Sequence, residues 1–107
     1  MAKLSYTPDA LQRIGAIHRY IAEELKNPSG AARIVSMIRD GIRLLKTSPE
    51  LGPLLSSRYG VVPESLKNTR YFIISKDYIV LYDFDGKTVR IIQIYHTAQD
   101  YVRYLFS

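Results

Sequence analysis

Leu4 and Tyr6 alternate with Lys3 and Ser5, which predicts a short half-buried strand at the start of the chain. The period then changes. Leu11, Ile14, Ile17, Ile21 and Leu25 recur at helical spacing and make one apolar stripe. Thr7-Pro8-Asp9 supplies the start of that helix: a hydroxyl cap, a proline in the first turn, and an acid near the positive end of the dipole. Asn27-Pro28-Ser29-Gly30 breaks it. A second helix is expected from about Ala31 to Thr47, burying Ile34, Ile38, Ile42 and Leu45. The short connection makes the two helices an antiparallel αα-hairpin.

Ser48-Pro49-Glu50-Leu51-Gly52-Pro53 ends the second helix, and the chain reads as irregular from there to about Lys67. A connection of this length is either functional or a packed surface loop, here anchored by Leu54, Leu55 and Val61. Strand patterning follows in Arg70–Ser75, Tyr78–Phe84 and Thr88–His96, rich in β-branched and aromatic residues. Lys76-Asp77 is expected as a tight turn and Asp85-Gly86 as a type I′ hairpin turn. The last strand carries apolar residues in both alternating sets, Val89 and Ile91 against Ile92 and Ile94, which leaves room for a bulge and leaves the sheet face of His96 open. Thr97-x-x-Asp100 has capping-box spacing and should open a short terminal helix. The order β-α-α-β-β-β-α predicts an α+β fold in one domain, 1–107: an antiparallel sheet with the αα-hairpin on one face.

Composition narrows the functional classes. Fifteen Lys and Arg against ten Asp and Glu leave a formal charge of +5, which favours acidic partners. The absence of cysteine excludes disulfides and thiolate metal sites. No apolar run is long enough to span a bilayer and the first residues lack a signal-peptide core, so a cytoplasmic protein is expected. With two widely separated histidines and no glycine-rich phosphate loop, neither a metal nor a cofactor is expected.

Candidate chemistry gathers late in the chain. Arg70 opens the first meander strand and His96 closes the third. Tyr78 and Tyr82 share one side of the middle strand, and Tyr95, Tyr101 and Tyr104 lie near the end. Tyrosines can stack on bases, Arg can hold a phosphate, and a nearby His can act as general acid or base in RNA cleavage. The alternative is structural: Tyr fills sheet positions well, and His96 can bond a backbone group at the corner. Arg39, Arg43 and Lys46 share a helix face that is either solvated or target-binding, while His18 reads as structural.

The residues Asp9-Ala10-Leu11-x-x-Ile14-x-x-Ile17-x-x-Tyr20-Ile21, Ser48-Pro49-x-Leu51-Gly52, Arg70, Tyr78-x-Val80-x-Tyr82, Val89-x-Ile91-x-x-Ile94-x-His96 and Asp100-Tyr101 stand in a telling order. Over nearly its full length the chain resembles the RelE/ParE superfamily of type II toxin–antitoxin toxins, including plasmid-stabilisation members. The resemblance implies a small basic toxin that inhibits growth unless neutralised by an acidic, partly disordered antitoxin wrapping it. ParE-like members block DNA gyrase and carry no nuclease site. RelE-like members enter the ribosome and cleave mRNA without a metal, which would make Arg70 and His96 catalytic. A third option is a degenerate member that only binds antitoxin. In cleaving members an Arg usually follows the middle-strand Tyr, where this chain has Ile79, and a basic residue usually sits at the position of Gln99. Both departures lean towards a ParE-like gyrase inhibitor, with Arg39, Arg43 and the tyrosines as target-binding positions.

Overall fold

The computed structural model describes residues 1–98. Strand β1 (Lys3–Tyr6) leads into α1 (Pro8–Arg19), a π-helical turn at Tyr20–Glu24, and α2 (Pro28–Thr47). A short α3 (Leu55–Tyr59) and a 3₁₀ turn (Glu64–Leu66) follow, then β2 (Arg70–Ile74), β3 (Tyr78–Phe84) and β4 (Thr88–His96). The sheet order is β1-β4-β3-β2. β2, β3 and β4 form the expected antiparallel meander, whereas β1 joins β4 in parallel. The expected terminal helix, with Asp100, lies outside the described residues.

The αα-hairpin covers one face of the sheet. Ala10 and Ile14 of α1 and Ile38, Ile42 and Leu45 of α2 pack on Ile74, Tyr78, Val80, Tyr82, Val89, Ile91 and Ile94. α2 starts three residues earlier than its stripe implies, because Asn27 caps it by accepting a bond from the Gly30 amide at 3.0 Å. Gly41 lets α2 approach β2: a Cβ there would lie 2.7 Å from Cδ1 of Ile74. The stripe of α1 ends early. At the π turn Leu25 N–H bonds the Tyr20 carbonyl, and the added residue rotates Leu25 outward to 57% exposure.

The long connection is an ordered cover for the opposite face. Leu55 packs with Ile79, Leu81 and Tyr95, flanked by Tyr59, Val62 and Leu66. Of the three expected anchors only Leu55 is buried; Leu54 is partly exposed and Val61 is fully exposed. Thus β3 is sandwiched, and its first five residues are buried regardless of the side they face.

The turns exchange roles relative to expectation. Ser75 and Lys76 have φ of 53° and 67°, and Asp77 N–H bonds the Ile74 carbonyl, so the positive-φ pair lies here. At the other hairpin only Gly86 has positive φ. Asp85 instead accepts from the amides of Lys87 and Thr88, which hold its carboxyl below the ordinary range.

A bulge, for which the doubled apolar set left room, is present in β4. Leu81 pairs with Gln93 and Tyr82 with Ile91, leaving Ile92 as the extra residue. Thr7 binds this point. Its amide donates to the Ile91 carbonyl and its hydroxyl to the Ile92 carbonyl at 2.7 Å, while the same Oγ1 accepts from the Ala10 amide and caps α1. Thr7→Val should therefore lower unfolding free energy by about 2 kcal/mol, from a lost cap and a lost sheet bond. Thr7→Ser should stay within about 0.5 kcal/mol of the parent. Urea denaturation of both variants checks this, and an unchanged midpoint for Thr7→Val would refute it.

Candidate functional site

Because β4 gains a residue at Ile92, its facing parity inverts. Val89 and Ile91 face the hairpin before the bulge, Ile94 faces it afterwards, and Tyr95 turns to the α3 side. His96, paired with Tyr78, is carried onto the hairpin side at the end of the sheet. Its ring meets Tyr78 edge-on, with centroids 5.2 Å apart at 75°. Nδ1 accepts from the Ala98 amide at 3.0 Å, which leaves the proton of the neutral ring on Nε2. Thr97 fastens the corner to the β2–β3 turn: its hydroxyl donates to the Lys76 carbonyl and its amide to the Asp77 carbonyl, both at 2.8 Å.

Beside this corner α1, the π turn and the start of α2 enclose, with the end of the sheet, a groove of about 760 Å³. Ile17, Ile21, Leu25 and Ile34 make its apolar lining, Tyr78 and His96 one end, and Arg13 and Arg33 are its guanidinium groups. Tyr20, 57% exposed, is also part of the wall, so the π turn shapes the groove. Arg13 also lies over the Tyr95 ring, 5.5 Å from its centroid. This apolar floor with a cationic rim suits an acidic amphipathic segment.

The other sequence candidates do not converge there. Arg70 lies opposite Tyr82 and His96 opposite Tyr78, on different sides of β3. Four residues of rise and two strand spacings separate their backbones by on the order of 16 Å. Arg70 is engaged at the far end of the sheet, where Nη1 donates to the Gly52 carbonyl at 2.8 Å. Tyr82 offers no stacking face: it is fully buried, its hydroxyl accepting from the Gly52 amide and donating to the Pro49 carbonyl. Tyr78 and Tyr95 are each 7% exposed, so both present little more than an edge. Arg39 stacks on Tyr6 at 5.3 Å, and Arg43 pairs with Asp40 at 2.7 Å across an exposed turn; neither lines the groove. Ile79, fully buried, faces Leu55 and Tyr95 under α3. Gln99, Tyr101 and Tyr104 lie outside the described residues. Among the described residues no three His, Cys, Asp or Glu cluster as metal ligands would. Nor is any helix among them long and apolar enough to cross a membrane.

Sequence reading missed Arg13, Arg33 and Tyr20. The signal was available in the i, i+4, i+8 series Arg13, Ile17, Ile21, which puts the cation on the same stripe as the apolar residues.

The family described as "ParE toxin of type II toxin-antitoxin system, parDE" matches residues 4–101. The chain belongs to the ParE toxin family. No curated protein matches it significantly in sequence. Among solved structures, this ParE-family toxin is similar to a chain of the chromosomal ParDE toxin–antitoxin system from P. aeruginosa. That match has a TM-score of 0.66 and 18% identity, covering 90% of this chain and 96% of that one. YafQ from E. coli strain BL21(DE3) gives a TM-score of 0.47 at 15% identity, with 92% and 96% covered. The P. aeruginosa match agrees with the α+β architecture built above.

Four tyrosines report on the packed faces. Burial pushes the hydroxyls of Tyr6, Tyr78, Tyr82 and Tyr95 above the ordinary value of 10.0. Asp77 adds to the rise at Tyr78, whereas Arg39 opposes it at Tyr6 and Arg13 at Tyr95. Below pH 10 the phenols are protonated in both states and add no pH dependence. Above it the unfolded chain releases protons first, so stability falls as pH rises. The urea midpoint should therefore drop above about pH 10, and less steeply in Tyr82→Phe. Equal slopes in parent and variant would contradict the assignment at Tyr82.

Proposed function

We propose that this toxin inhibits growth by binding DNA gyrase and does not cleave RNA, and that a cognate acidic antitoxin neutralises it by covering the groove beside His96. The observation that carries the reading is the separation of Arg70 from His96. Cleavage of a phosphodiester needs the acid–base group and the phosphate-holding cation within a few ångströms of one reacting centre. Here they stand at opposite ends of the sheet, and Arg70 is bonded to a backbone carbonyl. The place where cleaving relatives of the superfamily carry an Arg is Ile79, which lies beneath α3. A guanidinium there would be buried among apolar side chains.

The antitoxin part of the reading rests on charge and shape. The chain is basic by +5, and the groove joins an apolar floor to two guanidinium groups. An acidic segment with apolar residues at i, i+3 and i+4 would satisfy both.

Pulse labelling in bacteria lacking the antitoxin tests the target. DNA synthesis should stop first, with translation continuing and mRNA intact. Immediate loss of translation with mRNA cut inside codons, abolished by Arg70→Ala or His96→Ala, would instead establish a ribosome-dependent nuclease. For the antitoxin, Arg13→Glu and Arg33→Glu should each raise its dissociation constant at least about tenfold. Calorimetry on refolded toxin checks this. Unchanged affinity in both variants would place the antitoxin elsewhere.

A further inference from the structure

At the end of the sheet away from His96, three elements bring lysines to one cavity of about 510 Å³. Lys3 comes from β1, Lys46 from the last turn of α2, and Lys87 from the turn before β4. Backbone bonds fix these three points: the Ala2 amide donates to the Lys46 carbonyl at 2.8 Å, and the Lys3 amide to the Lys87 carbonyl at 2.9 Å. No Asp or Glu lines the cavity. Asp85 directs its carboxylate to the amides of Lys87 and Thr88 within its own turn. Among the described residues, none of the three lysines is ion-paired. The dipole of α2 accounts for a cation at Lys46 but not for Lys3 or Lys87.

The cations continue along α2, where Arg39, Arg43 and Lys46 stand at i, i+4 and i+7. Arg39 lies over Tyr6 while Lys46 meets Ala2, so this flank follows the whole of β1. Arg43 pairs with Asp40 only across an exposed turn, a contact that a phosphate can replace at little cost. Like charges aligned on a rigid scaffold raise the local potential and draw an anion of matching length. The α2 part of the row is about 10 Å long. Over that length one strand of a duplex presents about three phosphates. Single strands are held by stacking on open rings, but here Tyr6 lies under Arg39 and Phe84 packs against the core. All five side chains are donor-only cations, with no acceptor for the 2′-hydroxyl that marks RNA.

We propose that Arg39, Arg43, Lys46, Lys3 and Lys87 form a row that binds the phosphate backbone of double-stranded DNA without reading its sequence. This surface is separate from the groove beside His96 and acts whichever protein the toxin inhibits. Fluorescence anisotropy of a short labelled DNA duplex with the full chain, across a salt series, tests it. The logarithm of the binding constant should fall with the logarithm of salt concentration at a slope of about −4. Lys3→Gln, Lys46→Gln and Lys87→Gln together should weaken binding at least about tenfold at low salt and make the slope shallower by about three. Lys26→Gln, Lys67→Gln and Lys76→Gln remove the same charge from exposed sites elsewhere, and should cost less than about threefold. Arg at positions 3, 46 and 87 should retain binding, which separates loss of charge from loss of fold. Equal losses in the two glutamine triples would overturn the proposal, because net charge alone would then explain the binding. Absence of binding at low salt would overturn it too. So would tighter binding of a single strand or an RNA duplex, or displacement of the DNA by polyglutamate at equal charge, which would mark an acidic protein as the ligand.

Discussion

The extra residue in β4 at Ile92 is the constraint on which the rest of the molecule depends. It changes which residues of one strand face each cover. Its first half offers Val89 and Ile91 to the helical hairpin, and its second half offers Ile94 and His96 to the same side. With strict alternation Tyr95 would face the hairpin, and His96 would sit on the α3 side. The bulge also frees the Ile92 carbonyl, which Thr7 takes while capping α1. One threonine thereby ties the place where β4 changes parity to the place where the first helix departs.

That departure explains the groove. β1 pairs β4 only as far as Ile91, and beyond it α1 takes over the neighbouring position against β4. A helix cannot continue the ladder of a strand, so the Ile94 amide turns to the Gln93 side chain at 3.0 Å. Further along, α1, the π turn and the Asn27-capped start of α2 wall a groove lined by isoleucines and edged by Arg13 and Arg33. At the opposite end of the sheet the chain closes tightly. Gly52 sits where a Cβ would collide with the Tyr71 carbonyl oxygen, and the Tyr82 hydroxyl and Arg70 guanidinium bind its backbone. One end is therefore built for rigidity and the other presents an open concave surface.

The sequence carried the elements but not their covers. Periodicity located the two long helices and all four strands but not the short α3, and the doubled apolar set of β4 allowed a bulge without requiring it. The parallel attachment of β1 was not legible, because alternation in a four-residue strand says nothing of its neighbour. Nor was the role of the long connection: Leu55 and Val61 look alike in sequence, yet only burial against Ile79 separates them. The tyrosines misled for the same reason. Tyr82 reads as an exposed aromatic candidate until its hydroxyl is found bonded at the Gly52 end. Arg13 was hidden within an apolar stripe, and its meaning emerged only once the groove had two walls.

The central proposal is that this ParE-family fold acts as a binding surface, and that its described residues assemble no RNA-cleaving centre. The most direct measurement presents purified toxin, in parallel, with DNA gyrase on relaxed plasmid and with ribosomes stalled on a defined mRNA. The account predicts inhibition of supercoiling at near-stoichiometric toxin, relief by antitoxin, and mRNA of full length. Cleavage of the mRNA with supercoiling unaffected would contradict it, and would mean that Arg70 and His96 act from positions that the sheet holds apart.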